Sequence, residues 1–211
     1  MIDKYGLRKK IPGEILSGLE TTSETPKPGD RLFDAVQNTV VGSSMLSAQA
    51  ALAQAGLEGF HTYLLQSDLQ GEAREIASTL SGILCQMSTR GDPVAPPACI
   101  VLAGETTVPL RGGGKGGRNT ELALAAVSQL ADFPKVMLIT LATDGEDGPT
   151  DAAGAIVMGN TFQRAADLGL DSGQFLERND SYSFFSTLDD LLKPGPTGTN
   201  VNDLVFLLTF Q

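Results

Sequence analysis

The sequence predicts an α/β fold: a layered domain with a mostly parallel or mixed sheet flanked by helices. Short apolar runs, several rich in β-branched residues, alternate along the chain with longer stretches of helical period. Hydrophobic residues make up 41% and charged residues 19% of the chain, a balance that supports a packed core and excludes a disordered polymer. The length, 211 residues, fits one domain or one domain with an appendage.

Residues 2–19 read as a short helix with Pro12 near a boundary, and residues 21–30 (TTSETPKPGD) as a polar, Pro-bearing linker. Six of the fifteen basic residues (Lys4, Arg8, Lys9, Lys10, Lys27 and Arg31) fall in this opening stretch. The shift to an acidic remainder places a boundary near residue 33 and divides the chain into 1–32 and 33–211. Residues 39–41 read as a short β-branched strand, and Ser43 or Ser44 can cap a helix that runs to about Ala55 and ends at Gly56. Residues 62–65 form a second strand. Residues 71–87 form a helix, with Ala73, Ile76, Ala77, Leu80, Ile83 and Leu84 on one face. Strands follow at 99–103 and 106–110, a strong helix at 119–130, and the most apolar strand of the chain at 136–142. A strand at 155–158, helices at 161–168 and 182–192, and a terminal strand at 204–209 complete the pattern. In such sheets the ligand crevice lies at the carboxyl ends of the strands.

The formal net charge of −10 argues against nucleic acid as a partner, which needs a basic surface. No apolar run is long enough to span a membrane, and the charged first ten residues lead into no signal-peptide core, so neither a membrane nor a secretory route is expected. Cys85 and Cys99 are too few for a disulfide framework and lack a CxxC spacing, which points to a reducing, cytoplasmic setting without a zinc site.

Glycine is the unusual component, 24 of 211 residues where about 7% is typical. Six glycines crowd between Gly104 and Gly117, and Gly145, Gly148 and Gly154 follow one strand later. The segment RGGGKGGRNTE, residues 111–121, lies between a strand and a helix. Glycines let backbone N–H groups approach an anion, the helix start adds its positive dipole end, and Arg111, Lys115 and Arg118 supply three cations. Gly112, Gly113, Lys115, Gly117, Asn119 and Glu121 are therefore candidate ligand-binding residues, and the spacing is not that of a Walker A loop. A solvated turn is the alternative for the same segment. The segment TDGEDGPTDA, residues 143–152, follows the most apolar strand and places Asp144, Glu146, Asp147 and Asp151 at a strand end, where carboxylates hold Mg²⁺ or orient a hydroxyl. Asp144 and Asp147 are candidates here, against the alternative of Asp-Gly turns. GPTGTNVND, residues 195–203, offers Thr197 and Asn200 on a glycine-kinked loop, and Glu105 sits at the end of a buried strand. His61, the single histidine, has no nearby Ser or Cys partner for a triad. Neither an EF-hand spacing nor a dinucleotide fingerprint occurs, and no residue is assigned to a metal.

Taken in order, RGGGKGGRNTELALA, ATDGEDGPTDAAGA, RNDSYSFF and GPTGTNVNDL resemble the carboxyl-terminal half of the ATP-dependent glycerate 2-kinase family, whose last portion is the MOFRL domain and which has also been labelled hydroxypyruvate reductase. The resemblance extends upstream through residues 41–48 and the QGEAREIA segment at 70–77. Thr120 stands where the family usually has Gln, and Ser183 where His is expected. The resemblance implies two α/β domains with the active site between them, and a first domain carrying a catalytic Lys and a Ser-Gly-Pro phosphate-binding segment that this chain lacks. Residues 1–32 would be the remnant helix and linker of that missing amino-terminal domain. Arg118 matches the family's catalytic Arg, and Asp144 and its neighbours would face the same cleft. The implied reaction transfers a phosphoryl group from ATP, with Mg²⁺ carried by the nucleotide, to D-glycerate, giving 2-phosphoglycerate. This chain alone is then expected to have little or no activity. A non-catalytic module binding an anion or a partner remains the alternative class.

Overall fold

A computed structural model describes all 211 residues and divides the chain into two compact units, Met1–Val40 and Val41–Gln211. In the first unit, helix α1 (Gly13–Thr21) and a 3-10 turn (Arg31–Phe33) bury no residue. The helix expected from residue 2 begins only at Gly13. Pro12 has no N–H to donate in a helix interior, and it serves as the residue before the first turn, its carbonyl accepting from the Leu16 amide at 3.0 Å. Residues 39–41 form no strand. Val40 and Val41 are 76% and 91% exposed, and β-branched residues favour a strand only where a half-buried pleated surface receives them.

The second unit starts with α2 (Ser44–Leu57), whose Ser43 hydroxyl accepts from the Leu46 amide at 3.2 Å. The helix ends at Leu57, one residue past Gly56. Then come β1 (His61–Leu69), α3 (Ala73–Arg90), β2 (Ala98–Gly104), α4 (Arg118–Ala126), β3 (Val136–Ala142) and β4 (Gly154–Met158). Helices α5 (Thr161–Asp167), α6 (Ser172–Glu177) and α7 (Ser181–Leu188), and strands β5 (Leu191–Leu192) and β6 (Asp203–Thr209), complete the chain. Helix α3 buries Ala73, Ala77, Leu80, Leu84 and Met87 at spacings of three and four, and Gly91 ends it in the left-handed conformation.

The six strands lie in the order β1-β2-β6-β3-β4-β5. Only β1 and β2 run parallel; every other pairing is antiparallel, so the sheet is of the mixed type. One face carries the main core, where Leu84, Met87, Leu122, Leu124, Phe184 and Phe185 are buried together. The other carries a smaller cluster of Ala48, Cys99, Val101, Ala103 and Leu204 beneath α2. Helix α4 is buried at every position from Asn119 to Ala126, so its polar Asn119, Thr120 and Glu121 need internal hydrogen-bond partners.

Four elements of the second unit also differ from the sequence expectation. Residues 106–110 make one isolated bridge, Glu72 to Thr107, because Pro109 cannot extend a ladder. The helix expected at 119–130 is regular only to Ala126 and closes in turns. The helix expected at 182–192 stops at Leu188, where Asp189 takes a left-handed conformation at φ 60°, and Leu191 and Leu192 pair with Gly154 and Ala155 instead. Helix α6 was not foreseen, although Asp171 caps it by accepting from the Gly173 and Gln174 amides.

The antiparallel insertion of β6 between β2 and β3 matters most for function. Asp203, its first residue, pairs with Gly104 at the end of β2 and with Ala142 at the end of β3. The loops after both strands therefore converge on Asp203.

Candidate functional site

At that convergence, the Arg118 guanidinium grips Asp203 with two parallel bonds, Nε to Oδ2 at 2.5 Å and Nη2 to Oδ1 at 2.8 Å. Its remaining terminal nitrogen, Nη1, lies 3.1 Å from the Glu105 carboxylate. The hydrogen bonds it donates to Asp203 hold the guanidinium pKa above its ordinary value, against partial burial. A planar cation fixed in this fork keeps outward N–H groups free for a further oxyanion. The Asp203 side chain is 6% exposed and that of Glu105 53%, so the inner carboxylate anchors and the outer one faces solvent. Glu105 lines an open cleft of about 560 Å³ shared with Ser44, Ser67, Gly71, Thr107 and Asn202.

The glycine-rich loop is built from beneath. Asn179 accepts from the Arg111 and Gly112 amides at 2.8 and 2.9 Å, the Arg178 carbonyl accepts from Gly114 at 2.8 Å, and Asp180 accepts from Lys115 at 3.1 Å. The first turn of α4 is occupied as well. Asp147 Oδ1 accepts from the Asn119 amide at 3.0 Å, and Oδ2 accepts from the Thr120 amide and hydroxyl, both at 2.8 Å. The positive end of this helix, expected to meet an external anion, is satisfied by the protein's own carboxylate. Burial pushes the Asp147 carboxyl above the usual carboxylate range, against these donated bonds.

The glycines answer the same packing demand. A Cβ on Gly112 would stand 2.4 Å from the Arg178 carbonyl oxygen, one on Gly114 2.4 Å from Asp180 Cβ, and one on Gly117 2.4 Å from Asp147 Cγ. Only Gly113 in this loop faces open space. The expectation that these glycines clear room for a ligand is therefore corrected: most clear room for residues 178–181 and Asp147.

Glu121 is 1% exposed and serves the scaffold. It accepts from Arg74 Nε at 2.8 Å and from Asn179 Nδ2 at 3.0 Å, and so orients the side chain that holds the loop amides. Burial raises its pKa while Arg74 opposes the shift. Asn119, 2% exposed, accepts at its carbonyl from the Thr140 hydroxyl. As folded, Glu121, Asn119 and Asp147 have no surface to offer a ligand.

Asp144, Thr197 and Asn200 come together in a second knot. Asn200 Nδ2 donates to Asp144 Oδ2 at 2.9 Å, the Thr197 amide donates to the Asp144 carbonyl at 3.1 Å, and the Thr197 hydroxyl donates to the Thr143 carbonyl at 2.5 Å. Gly145, at φ +94°, allows this approach, since a Cβ there would lie 2.1 Å from the Gly195 carbonyl oxygen. Lys115 is exposed, with Nζ 3.9 Å from the centre of the Tyr182 ring. No group of three or more His, Cys, Asp or Glu is placed to hold a metal ion. Sequence reasoning missed Asp203, Arg74, Asn179 and Asp180. Asp203 carried a signal, since an acid that opens an apolar strand in the middle of a sheet needs a partner.

Residues 98–203, which run from the start of β2 to Asp203, match the MOFRL family. The chain belongs to the MOFRL family. A glycerate 2-kinase of Pyrococcus horikoshii is 35% identical over 99% of this chain and 48% of its own length. A putative hydroxypyruvate reductase of Agrobacterium vitis is 38% identical over 99% of this chain and 47% of its own. A crystal structure of glycerate kinase from Thermotoga maritima superposes with a TM-score of 0.89 at 36% identity, covering 99% of this chain and 48% of that one. The chain thus spans about half the length of these MOFRL relatives. No helix is long and apolar enough to cross a membrane.

Proposed function

We propose that this chain is the Arg118-bearing half of a cytoplasmic kinase that transfers the γ-phosphoryl group of ATP to D-glycerate and yields 2-phosphoglycerate. The observation that carries the reading is the Arg118 fork on Asp203 at the edge where β2, β3 and β6 meet, with Glu105 and the open cleft in front of it. The hydroxyl oxygen of the acceptor forms the new P–O bond as the bridging oxygen departs with ADP, and the hydroxyl proton is released. Arg118 then offers its outward N–H groups to the charge on the transferring group, a contact of the kind that phosphoryl transfer depends on. Mg²⁺ comes with the nucleotide's phosphates in this scheme.

On this reading the other half of the enzyme is the partner that closes the cleft, and residues 1–32 are the tail of that amino-terminal domain. Half a cleft lacks the positioning that transfer requires, so the 211-residue chain alone is inactive. The names of the relatives support the substrate, and the half-length match supports the need for a second domain.

The test is Arg118→Ala in the protein extended upstream. Loss of kcat by about 10²- to 10³-fold is expected, the scale for removing one preorganised charge-stabilising group. A change confined to ligand affinity would assign the site to a non-catalytic anion-binding module. Robust turnover by the 211-residue chain would remove the requirement for the other half. The reductase name of one relative favours a second reading, and NADH oxidation with hydroxypyruvate is its assay.

A further inference from the structure

Two ammonium groups converge on a single aromatic ring beside the glycine-rich loop. The Lys115 Nζ rests 3.9 Å from the centre of the Tyr182 ring. A second ammonium meets the same side chain. Lys193 Nζ lies 5.1 Å from the ring centre, 2.9 Å from the phenol oxygen and 3.2 Å from Asp151 Oδ2. The phenol donates to Asp151 Oδ1 at 2.6 Å. Two cations thus share one aromatic ring, and Asp151 pairs with only one of them.

Four separate segments build this cluster: the glycine-rich loop, the segment before β4, the first turn of α7, and the residue after β5. Leu192 pairs with Gly154, so Lys193 and Asp151 leave the sheet at the edge where β3 ends. Lys115 precedes Arg118 by three residues. The backbones are tied, since the Tyr182 amide donates to the Lys115 carbonyl at 2.9 Å. Cation–π contact holds an ammonium in place while leaving its N–H groups available, and lysine binds phosphate as a point charge.

We infer that Lys115 and Lys193, presented by Tyr182, form a phosphate site separate from Arg118 that takes the non-transferred phosphates of a polyphosphate ligand. The ligand's identity as a nucleotide rests on the kinase reading; the capacity to bind polyphosphate does not.

The experiment titrates the 211-residue chain with inorganic tripolyphosphate by calorimetry and compares Lys115→Gln, Lys193→Gln and a charge-matched control, Lys10→Gln, after thermal melts establish that each is folded. Lys115→Gln and Lys193→Gln should each weaken binding by about tenfold, the scale of one charge-assisted contact, and the control by less than about twofold. Affinity in the parent chain should fall as salt is raised. Equal losses in all three variants, or no binding by the parent chain at millimolar tripolyphosphate, would overturn the inference. Because the readout is binding without turnover, failure of the kinase reading appears separately, as absent transfer in the extended protein while tripolyphosphate still binds.

Discussion

Asp147→Asn isolates the contact that closes the amino-terminal end of α4. The carboxylate receives three donors at 3.0 Å or less, the Asn119 amide on one oxygen and the Thr120 amide and hydroxyl on the other, and a longer fourth from Asn119 Nδ2 at 3.4 Å. An amide of the same shape retains one acceptor oxygen. If that oxygen stays with Thr120, the new NH₂ group faces the Asn119 N–H, leaving one buried donor unpaired at about 1–3 kcal/mol and weakening the other two bonds by roughly 1 kcal/mol each. Release from burying a charge offsets part of this, so a net loss of about 2–3 kcal/mol is expected, close to the upper range for an N-cap replacement. For a chain of this size the melting temperature should fall by roughly 5–10 °C. Burial sets the folded pKa of Asp147 above its unfolded value. This group's contribution to stability is therefore complete below the unfolded pKa and declines as pH rises through the folded one. Asn does not titrate, so the deficit of the variant should shrink as pH rises above the ordinary carboxylate pKa of about 4. Urea unfolding across a pH series measures it. A loss below about 1 kcal/mol would refute the capping role, and a deficit that grows with pH would mean that the three donors, not burial, control the carboxyl.

Two further outcomes follow from the packing. Gly114→Ala should destabilise by about 1–3 kcal/mol through overpacking, because its Cβ would meet Asp180 Cβ at 2.4 Å, whereas Gly113→Ala, facing open space, should change stability by less than about 0.5 kcal/mol; equal effects in urea titrations would contradict the packing explanation of the glycines. Burial pushes the Cys99 thiol up to about 11, so a thiol reagent at pH 8 should modify only Cys85 in the folded protein and both cysteines in denaturant; two rapid equivalents in the native state would refute it.

The elements legible in the sequence were those whose own pattern decided them. The apolar run of β3 matched residue for residue, and the face of α3 was visible in the spacing of Ala73, Ala77, Leu80 and Leu84. The failures needed information from elsewhere in the chain. Val40 and Val41 have strand-forming side chains but no neighbouring strand, while Leu191 and Leu192 looked helical until Asp189 broke the helix and the edge of β4 took them. The mixed direction of the sheet depends on where β6 inserts, and no local periodicity encodes that.

At the site the same division separates cations from glycines. The position of Arg118 ahead of a helix and of Glu105 at a strand end was readable, and the fold brings the two side chains within 3.1 Å. What local reading cannot separate is a glycine that makes room for a ligand from one that makes room for the protein. Both require a bare Cα, and both favour a loop before a helix. The distinction lies in residues 178–181, more than sixty positions away, whose Arg178 carbonyl, Asn179 and Asp180 side chains fill the space a phosphate was expected to take. Four of the loop amides are thereby spent on rigidity, and in the proposed reaction anion recognition falls to the side chains the loop carries. Arg118 is braced by Asp203, and Lys115 is braced by Tyr182. A loop braced by residues 178–181 holds both cations at the sheet edge, which is the preorganisation that the proposed phosphoryl transfer requires.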